Sequence, residues 1–135
     1  MSRVERIELF HVAVPLKAPF YPSWIPGYPM TECRYTLIRI TTSDGLVGHS
    51  AGTAFSSERE GLGDLLGGFL IGTRADDIDT VRKRLREASY LGWRNWWLEA
   101  AFWDLLGQLE GQPVYKLLQR ERETVDFVDV YASSG

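Results

Sequence analysis

Residues 32–57, ECRYTLIRITTSDGLVGHSAGTAFSS, decide the fold. Glu32 to Thr42 carries the β-branched and aromatic set Tyr35, Thr36, Ile38, Ile40 and Thr41, Ser43-Asp44-Gly45 supplies a tight turn, and a second apolar run opens at Leu46-Val47. This predicts a hairpin whose second strand covers about residues 46–54. Beyond it the apolar period changes from 2 to 3.6. Glu60 stands three positions after Ser57, as in a capping box, and Leu62, Leu65, Leu66, Phe69 and Leu70 fall on one helical face. Gly61, Gly63, Gly67 and Gly68 weaken that helix by up to about 1 kcal/mol each relative to Ala, so it requires tertiary support.

Toward the amino terminus, residues 3–14 mix Val4, Ile7, Leu9, Val12 and Val14 with charged residues in a partly alternating pattern, a first strand that stops at Pro15. Residues 15–30 hold Pro15, Pro19, Pro22, Pro26 and Pro29 among Phe20, Tyr21, Trp24, Ile25 and Tyr28. No helix or central strand accepts that many prolines, so an aromatic loop is expected.

Toward the carboxy terminus, Asp76, Asp77 and Asp79 sit where a helix N-terminus favours negative charge, ahead of the stripe Ile78, Val81, Leu85 and Ala88. That helix is expected to reach about Leu91 and to close at Gly92. From Asn95 the string Trp96, Trp97, Ala100, Ala101, Trp103, Leu105, Leu106 and Leu109 is apolar nearly all round until Gly111-Gln112-Pro113, which calls for a buried helix. A short helical piece, Val114 to Leu118, and a charged connector, Gln119 to Glu123, lead to Val125-Asp126-Phe127-Val128-Asp129-Val130-Tyr131, which reads as a strand. With no partner left in the sequence, that strand makes the chain look cut rather than finished. The expected fold is α+β: a three-stranded antiparallel meander, then a three-helix bundle, then one solitary strand.

Composition excludes several function classes. At 135 residues and 44% hydrophobic the chain suits one globular domain, and a barrel needing roughly 250 residues does not fit. A net charge of −3 without a long basic run gives no electrostatic footprint for nucleic acid. No stretch reaches the roughly 18 apolar residues of a membrane span, and Ser2-Arg3-Val4-Glu5-Arg6 is no secretory signal, so a cytoplasmic location is expected. Cys33, the one cysteine, forms no internal disulfide and reads as a reduced structural thiol.

Self-contained catalysis finds little support. Asp76 and Asp77 are consecutive and diverge on a helix, so they read as a solvated helix start rather than a metal site. His11 and His49 have no ligand spacing, and they read as histidines satisfied by hydrogen bonds. Ser50-Ala51-Gly52 and Ser133-Ser134-Gly135 lack the arrangement that exposes a nucleophilic serine, and Gly61-Leu62-Gly63-Asp64-Leu65-Leu66 has Leu66 where a dinucleotide fingerprint wants glycine. Trp93, Trp96, Trp97 and Trp103 have no basic groove beside them and are assigned to the core. Asp104, inside the apolar helix, is expected to accept hydrogen bonds from backbone, Arg or Trp donors and to fix packing. The aromatic loop is different, because Phe20, Tyr21, Trp24, Ile25 and Tyr28 gain from exposure only if they cover something apolar, and five prolines limit the entropy lost on closing.

Three strings carry a resemblance: Ile38-Arg39-Ile40-Thr41-Thr42-Ser43-Asp44-Gly45-Leu46-Val47-Gly48, Ala101-Phe102-Trp103-Asp104-Leu105-Leu106-Gly107-Gln108, and Gly111-Gln112-Pro113-Val114-Tyr115-Lys116-Leu117-Leu118. In this order and spacing the chain resembles the amino-terminal capping domain of the mandelate racemase and muconate lactonizing enzyme group of the enolase superfamily. Gln119-Arg120 stand where that family usually has a glycine pair. The resemblance implies a capping domain over residues 1–123, and at 124–135 the first strand of a TIM barrel otherwise absent. In the family the barrel holds Mg²⁺ and a Lys or His base that removes a proton alpha to a carboxylate. None of those groups maps onto this chain, so no catalytic residue, metal ligand or cofactor is assigned here, and Mg²⁺ is expected only for the full-length enzyme.

The implied function is substrate capping and specificity in a Mg²⁺-dependent racemase, dehydratase or cycloisomerase acting on a small carboxylic acid. The alternative is a free-standing, non-catalytic binding or self-association module. By position, the resemblance assigns substrate contact to Phe20, Tyr21, Trp24, Ile25 and Tyr28 and, after the third strand, to Thr53 and Phe55. It also implies a homo-oligomer, while the charge and hydropathy of the chain lead to no nucleic-acid or membrane partner being expected. The apolar strand near 125–131 is expected to pair with a neighbouring copy or to lie against its own domain.

Overall fold

The computed structural model describes residues 1–53, 62–90, 96–119 and 127–132, with the backbone alone at Thr53, Leu62–Leu65 and Trp96. Three strands, β1 (Val4–Phe20), β2 (Met30–Thr42) and β3 (Val47–Thr53), form an antiparallel sheet in the order β1-β2-β3. Four helices follow: α1 (Leu62–Leu70), α2 (Ile78–Ser89), α3 (Trp96–Glu110) and the single-turn α4 (Val114–Leu118). This is the expected α+β order of meander and helices.

The hairpin turn forms at Ser43-Asp44-Gly45. Gly45, at φ 87°, donates its N–H to the Thr42 carbonyl at 2.9 Å, in a backbone conformation that favours glycine. The Asp44 carboxylate accepts from the Thr42 and Ser2 hydroxyls, both at 2.6 Å, which ties the turn to the chain start. These hydroxyls hold the Asp44 carboxyl below its ordinary range.

One face of the sheet supplies Ile38 and Ile40 to the core, where they meet Leu66 and Leu70 of α1, Val81, Leu85 and Ala88 of α2, and Trp97, Leu98, Ala101, Phe102 and Leu105 of α3. Directly opposed residues share a face, so the pairs Phe10–Leu37, Val12–Tyr35 and Val14–Cys33 lie on the other, outer face. There Arg39 forks onto Glu8 at 2.8 and 3.0 Å while its guanidinium sits 5.1 Å over the Phe10 ring. The Arg39 hydrogen bond pulls the Glu8 carboxyl down, partial desolvation opposing it.

Helix α3 lies against β3 because Gly48 has no side chain: a Cβ there would collide with the Ala101 carbonyl oxygen and come within 2.6 Å of Leu105 Cγ. Asp104 accepts the His49 backbone N–H at 2.8 Å, as the sequence suggested for this residue. Gln108 adds a bond from its side-chain amide to the Val47 carbonyl at 2.8 Å. Helix α2 begins two residues later than the acidic cluster, because Asp77 is its N-cap and accepts from the Thr80 N–H at 3.0 Å.

Three expectations are corrected. β1 does not stop at Pro15 but runs to Phe20, and the loop shrinks to residues 21–29. As an edge strand β1 tolerates Pro15 and Pro19, which a central strand would not. Helix α3 is not buried all round: Leu98, Ala101, Phe102 and Leu105 are, whereas Leu109 is exposed and Trp103 and Leu106 face an open groove. Cys33 is a free, exposed thiol on β2. Finally, Phe127–Ala132 forms no strand and is exposed throughout, so this segment does not lie against its own domain. A strand's backbone groups need a partner, and among the described residues none runs beside it.

The capping box at Ser57 and Glu60, the helix stop at Gly92, Trp93, Asn95, the expected domain boundary at 123/124, Val125, Asp126 and the serines at 133–134 lie outside the described residues.

Candidate functional site

Among the described residues β3 pairs with β2 over Tyr35–Thr41, whereas β1 accompanies β2 as far as Met30. The first hairpin therefore continues past the described part of the third strand as a two-stranded ribbon. Between the pairs Pro15–Glu32 and Phe20–Met30 the register shifts, with Leu16–Pro19 set against Thr31 alone. Such a bulge bends the strand that carries the surplus residues and re-aims its end. One proline, Pro19, lies in the surplus, where its missing N–H group costs the ladder little.

The ribbon ends in two linked turns. Ile25 N–H donates to the Pro22 carbonyl at 3.1 Å, and Tyr28 N–H to the Ile25 carbonyl at 3.3 Å. The second turn, Ile25-Pro26-Gly27-Tyr28, has proline then glycine at its centre, with Gly27 at φ 77°, the composition of a type II turn. Pro22 is buried beneath the tip. Phe20 and Trp24 stack tilted, ring centres 6.1 Å apart and planes at 58°, a geometry aromatic quadrupoles favour.

Five of the seven assigned residues, Phe20, Tyr21, Trp24, Ile25 and Tyr28, thus gather on one hairpin tip, and all are exposed: Phe20 39%, Tyr21 65%, Trp24 66%, Ile25 44% and Tyr28 66%. Thr53 stands elsewhere. Its backbone pairs with Tyr35, five β2 positions from Met30, or about 17 Å at the usual strand rise. Phe55 lies outside the described residues. The sequence reading treated this region as loop throughout and so missed the ribbon beneath the tip; the Pro26-Gly27 pair was the available signal for the turn.

The stretch from Ala18 to Thr31 that makes this tip holds no carboxylate or histidine. Among the described residues no three of His, Cys, Asp and Glu come together in a metal-binding group. Asp76 is held at 2.9 and 2.6 Å by Arg74, which keeps its carboxyl low, and Asp77 is occupied by the start of α2. The carboxylates described here do not fit a magnesium site. His11 Nδ1 lies 3.5 Å from the Thr36 hydroxyl within the sheet, and His49 is exposed on β3.

A second concavity, an open groove of about 540 Å³, runs between α2, α3 and α4 and is lined by Ile78, Trp103, Leu106 and Leu117 with Arg82 and Glu99. Glu99 accepts from Trp103 Nε1 at 3.1 Å and pairs with Arg82 at 3.1 Å, so its polar groups are engaged with one another. Among the described residues no helix is long and apolar enough to cross a membrane.

Comparison with known proteins agrees with this architecture. The family described as "Mandelate racemase / muconate lactonizing enzyme, N-terminal domain" matches residues 6–119. Cis-3-hydroxy-L-proline dehydratase of Roseibium aggregatum is 32% identical over 127 residues, covering 86% of this chain and 34% of that protein. A mandelate racemase/muconate lactonizing enzyme from Roseovarius nubinhibens is similar in structure, with a TM-score of 0.69 and 28% identity over 87% of this chain and 34% of its own. A Bradyrhizobium enolase complexed with magnesium and mandelic acid gives a TM-score of 0.66 at 28% identity, again over 87% of this chain and 34% of its own. The chain therefore spans about a third of the length of these relatives. By the extent of the match and the order of its elements, this chain belongs to the mandelate racemase and muconate lactonizing enzyme family, whose N-terminal domain it contains.

Proposed function

We propose that this chain is the substrate-capping and specificity part of a Mg²⁺-dependent racemase, dehydratase or cycloisomerase of a small carboxylic acid, with residues 1–123 as the cap and residues from 124 onward leading into the catalytic barrel. The observation that carries this reading is the projecting tip, where five apolar side chains stay exposed on a scaffold of turns, a bulge and prolines. Tyr21, Trp24 and Tyr28, each about two-thirds exposed, together offer on the order of 400 Å². A patch of that size on a small domain marks a binding surface. Closing such a surface over a barrel mouth excludes water from the reacting atoms, and rigid turns reduce the ordering cost of closure. Thr53 and Phe55 are proposed as further substrate contacts from the end of β3.

The test uses the complete enzyme that carries this domain. Trp24→Ala with Tyr28→Ala is expected to lower kcat/KM at least tenfold, mostly through KM, while the melting temperature stays within about 2 °C because both side chains are exposed. Unchanged kcat/KM would remove the capping role. For residues 1–135 alone, no chelator-sensitive exchange of the alpha proton of mandelate is expected in deuterium oxide, and observed exchange would contradict this reading.

A further inference from the structure

Resting on the capping role, we infer that the part of the substrate facing this hairpin tip is uncharged, apolar and about ring-sized, with its carboxylate turned away from the tip. From Ala18 to Thr31 no side chain is charged at neutral pH. The charges that flank this stretch in the sequence, Lys17 and Glu32, stand at the neck of the ribbon, and Glu32 is already engaged by Arg34. A charged substrate end pressed onto this surface would lose its water shell without meeting a counter-charge. An apolar end loses nothing comparable and gains by covering Tyr21, Trp24, Ile25 and Tyr28.

The surface is also preformed for a flat or cyclic group. The Phe20–Trp24 contact fixes two rings against one another, the bonds from Ile25 and Tyr28 hold both turns, and four prolines between residues 19 and 29 limit the alternatives available to the free tip. The polarity of this stretch is neutral, from the Tyr21, Ser23, Tyr28 and Thr31 hydroxyls and the Trp24 indole N–H, and suits a hydroxyl group better than an ionised one.

The experiment measures, by calorimetry on the magnesium-loaded complete enzyme, the affinities of three carboxylates that differ in the remote end: phenylacetate, succinate and 4-aminobutyrate. Phenylacetate is expected to bind at least tenfold tighter than the other two. Trp24→Ala with Tyr28→Ala is expected to narrow that gap below threefold. Ile25→Lys, a second and separate variant, is expected to raise succinate affinity relative to phenylacetate by fivefold or more. Equal binding, tighter binding of either doubly charged probe, binding of none, or a gap that survives the double variant overturns the inference.

The failures separate. If the double variant weakens all three probes by one common factor, the tip touches ligand without reading its polarity, and capping stands while this inference falls. If no affinity moves, both fall. A change only in oligomer size by sedimentation, with the affinity ratios intact, would assign the tip to a second copy and overturn the inference.

Discussion

At Gly48 the contact with α3 leaves no room for a methyl group, since a Cβ would press on the Ala101 carbonyl oxygen and on Leu105 Cγ at 2.6 Å. Backbone cannot yield as a flexible side chain does, so Gly48→Ala should shift α3 from the sheet and cost about 1–3 kcal/mol, the usual range for overpacking. The measurement is a urea titration, with a lower midpoint at unchanged slope. Asp104 works at the same seam from the helix side. Asp104→Ala deprives the His49 N–H and the Gln108 amide of an acceptor and should cost about 1 kcal/mol, whereas Asp104→Asn, which keeps one carbonyl oxygen, should recover much of it. Of this seam the sequence made Asp104 legible, because a lone carboxylate in an apolar helix has to find donors. Gly48 was not legible. It sat in the hairpin string as one more small residue, and only the path of α3 gives its missing side chain a meaning.

Among the elements, β2 was readable to within two residues, and β3 and α1 were readable over their described stretches, because period and punctuation agreed. Alternation ended at Ser43-Asp44-Gly45, and a 3.6 spacing began at Leu62. β1 was misread for a physical reason: proline is a local signal, but whether it ends a strand depends on whether that strand has a neighbour on its N–H side, which is a tertiary fact. The candidate site shares this history. Its aromatic residues stood out in the sequence, whereas the ribbon that carries them away from β3, and so away from Thr53, came from the unequal lengths of three paired strands. Helix α3 supplies the core at its own scale. Phe102 is fully buried beside Leu98, Leu105 and the sheet, so Phe102→Ala should cost about 3–5 kcal/mol and be read directly in thermal or urea melting.

For the whole molecule, acid is the condition under which the electrostatics become measurable. Glu8 is lowered by its bond from Arg39, Asp44 by the Ser2 and Thr42 hydroxyls, Asp76 by Arg74 and Asp77 by the Thr80 N–H. Each folded-state value lies below the ordinary one, so the unfolded chain takes up protons first. Their contribution is in place above the ordinary values of 4.5 for Glu8 and 3.8 for the aspartates and is lost as pH falls below them. The melting temperature should decline through that range, and a rise on acidification would contradict this assignment. Association is the second whole-molecule property. Phe127, Val128, Val130 and Tyr131 are 70% exposed or more, so residues 1–135 should self-associate at high concentration, and deletion of 124–135 should reduce the mass seen in sedimentation equilibrium. The sheet itself limits what such an assembly can become. Asp104 and Gln108 occupy the His49 N–H and Val47 carbonyl on the outer side of β3, and residues 72–75 cover the start of β1, so among the described residues β1 after Val4 is the longest stretch of sheet edge without a neighbour in the sheet. In the language of polymer chemistry the β1 edge is the reactive end of such a sheet: joining through it two copies close a pair, and the bonds already made on the outer side of β3 oppose growth of a fibre from there.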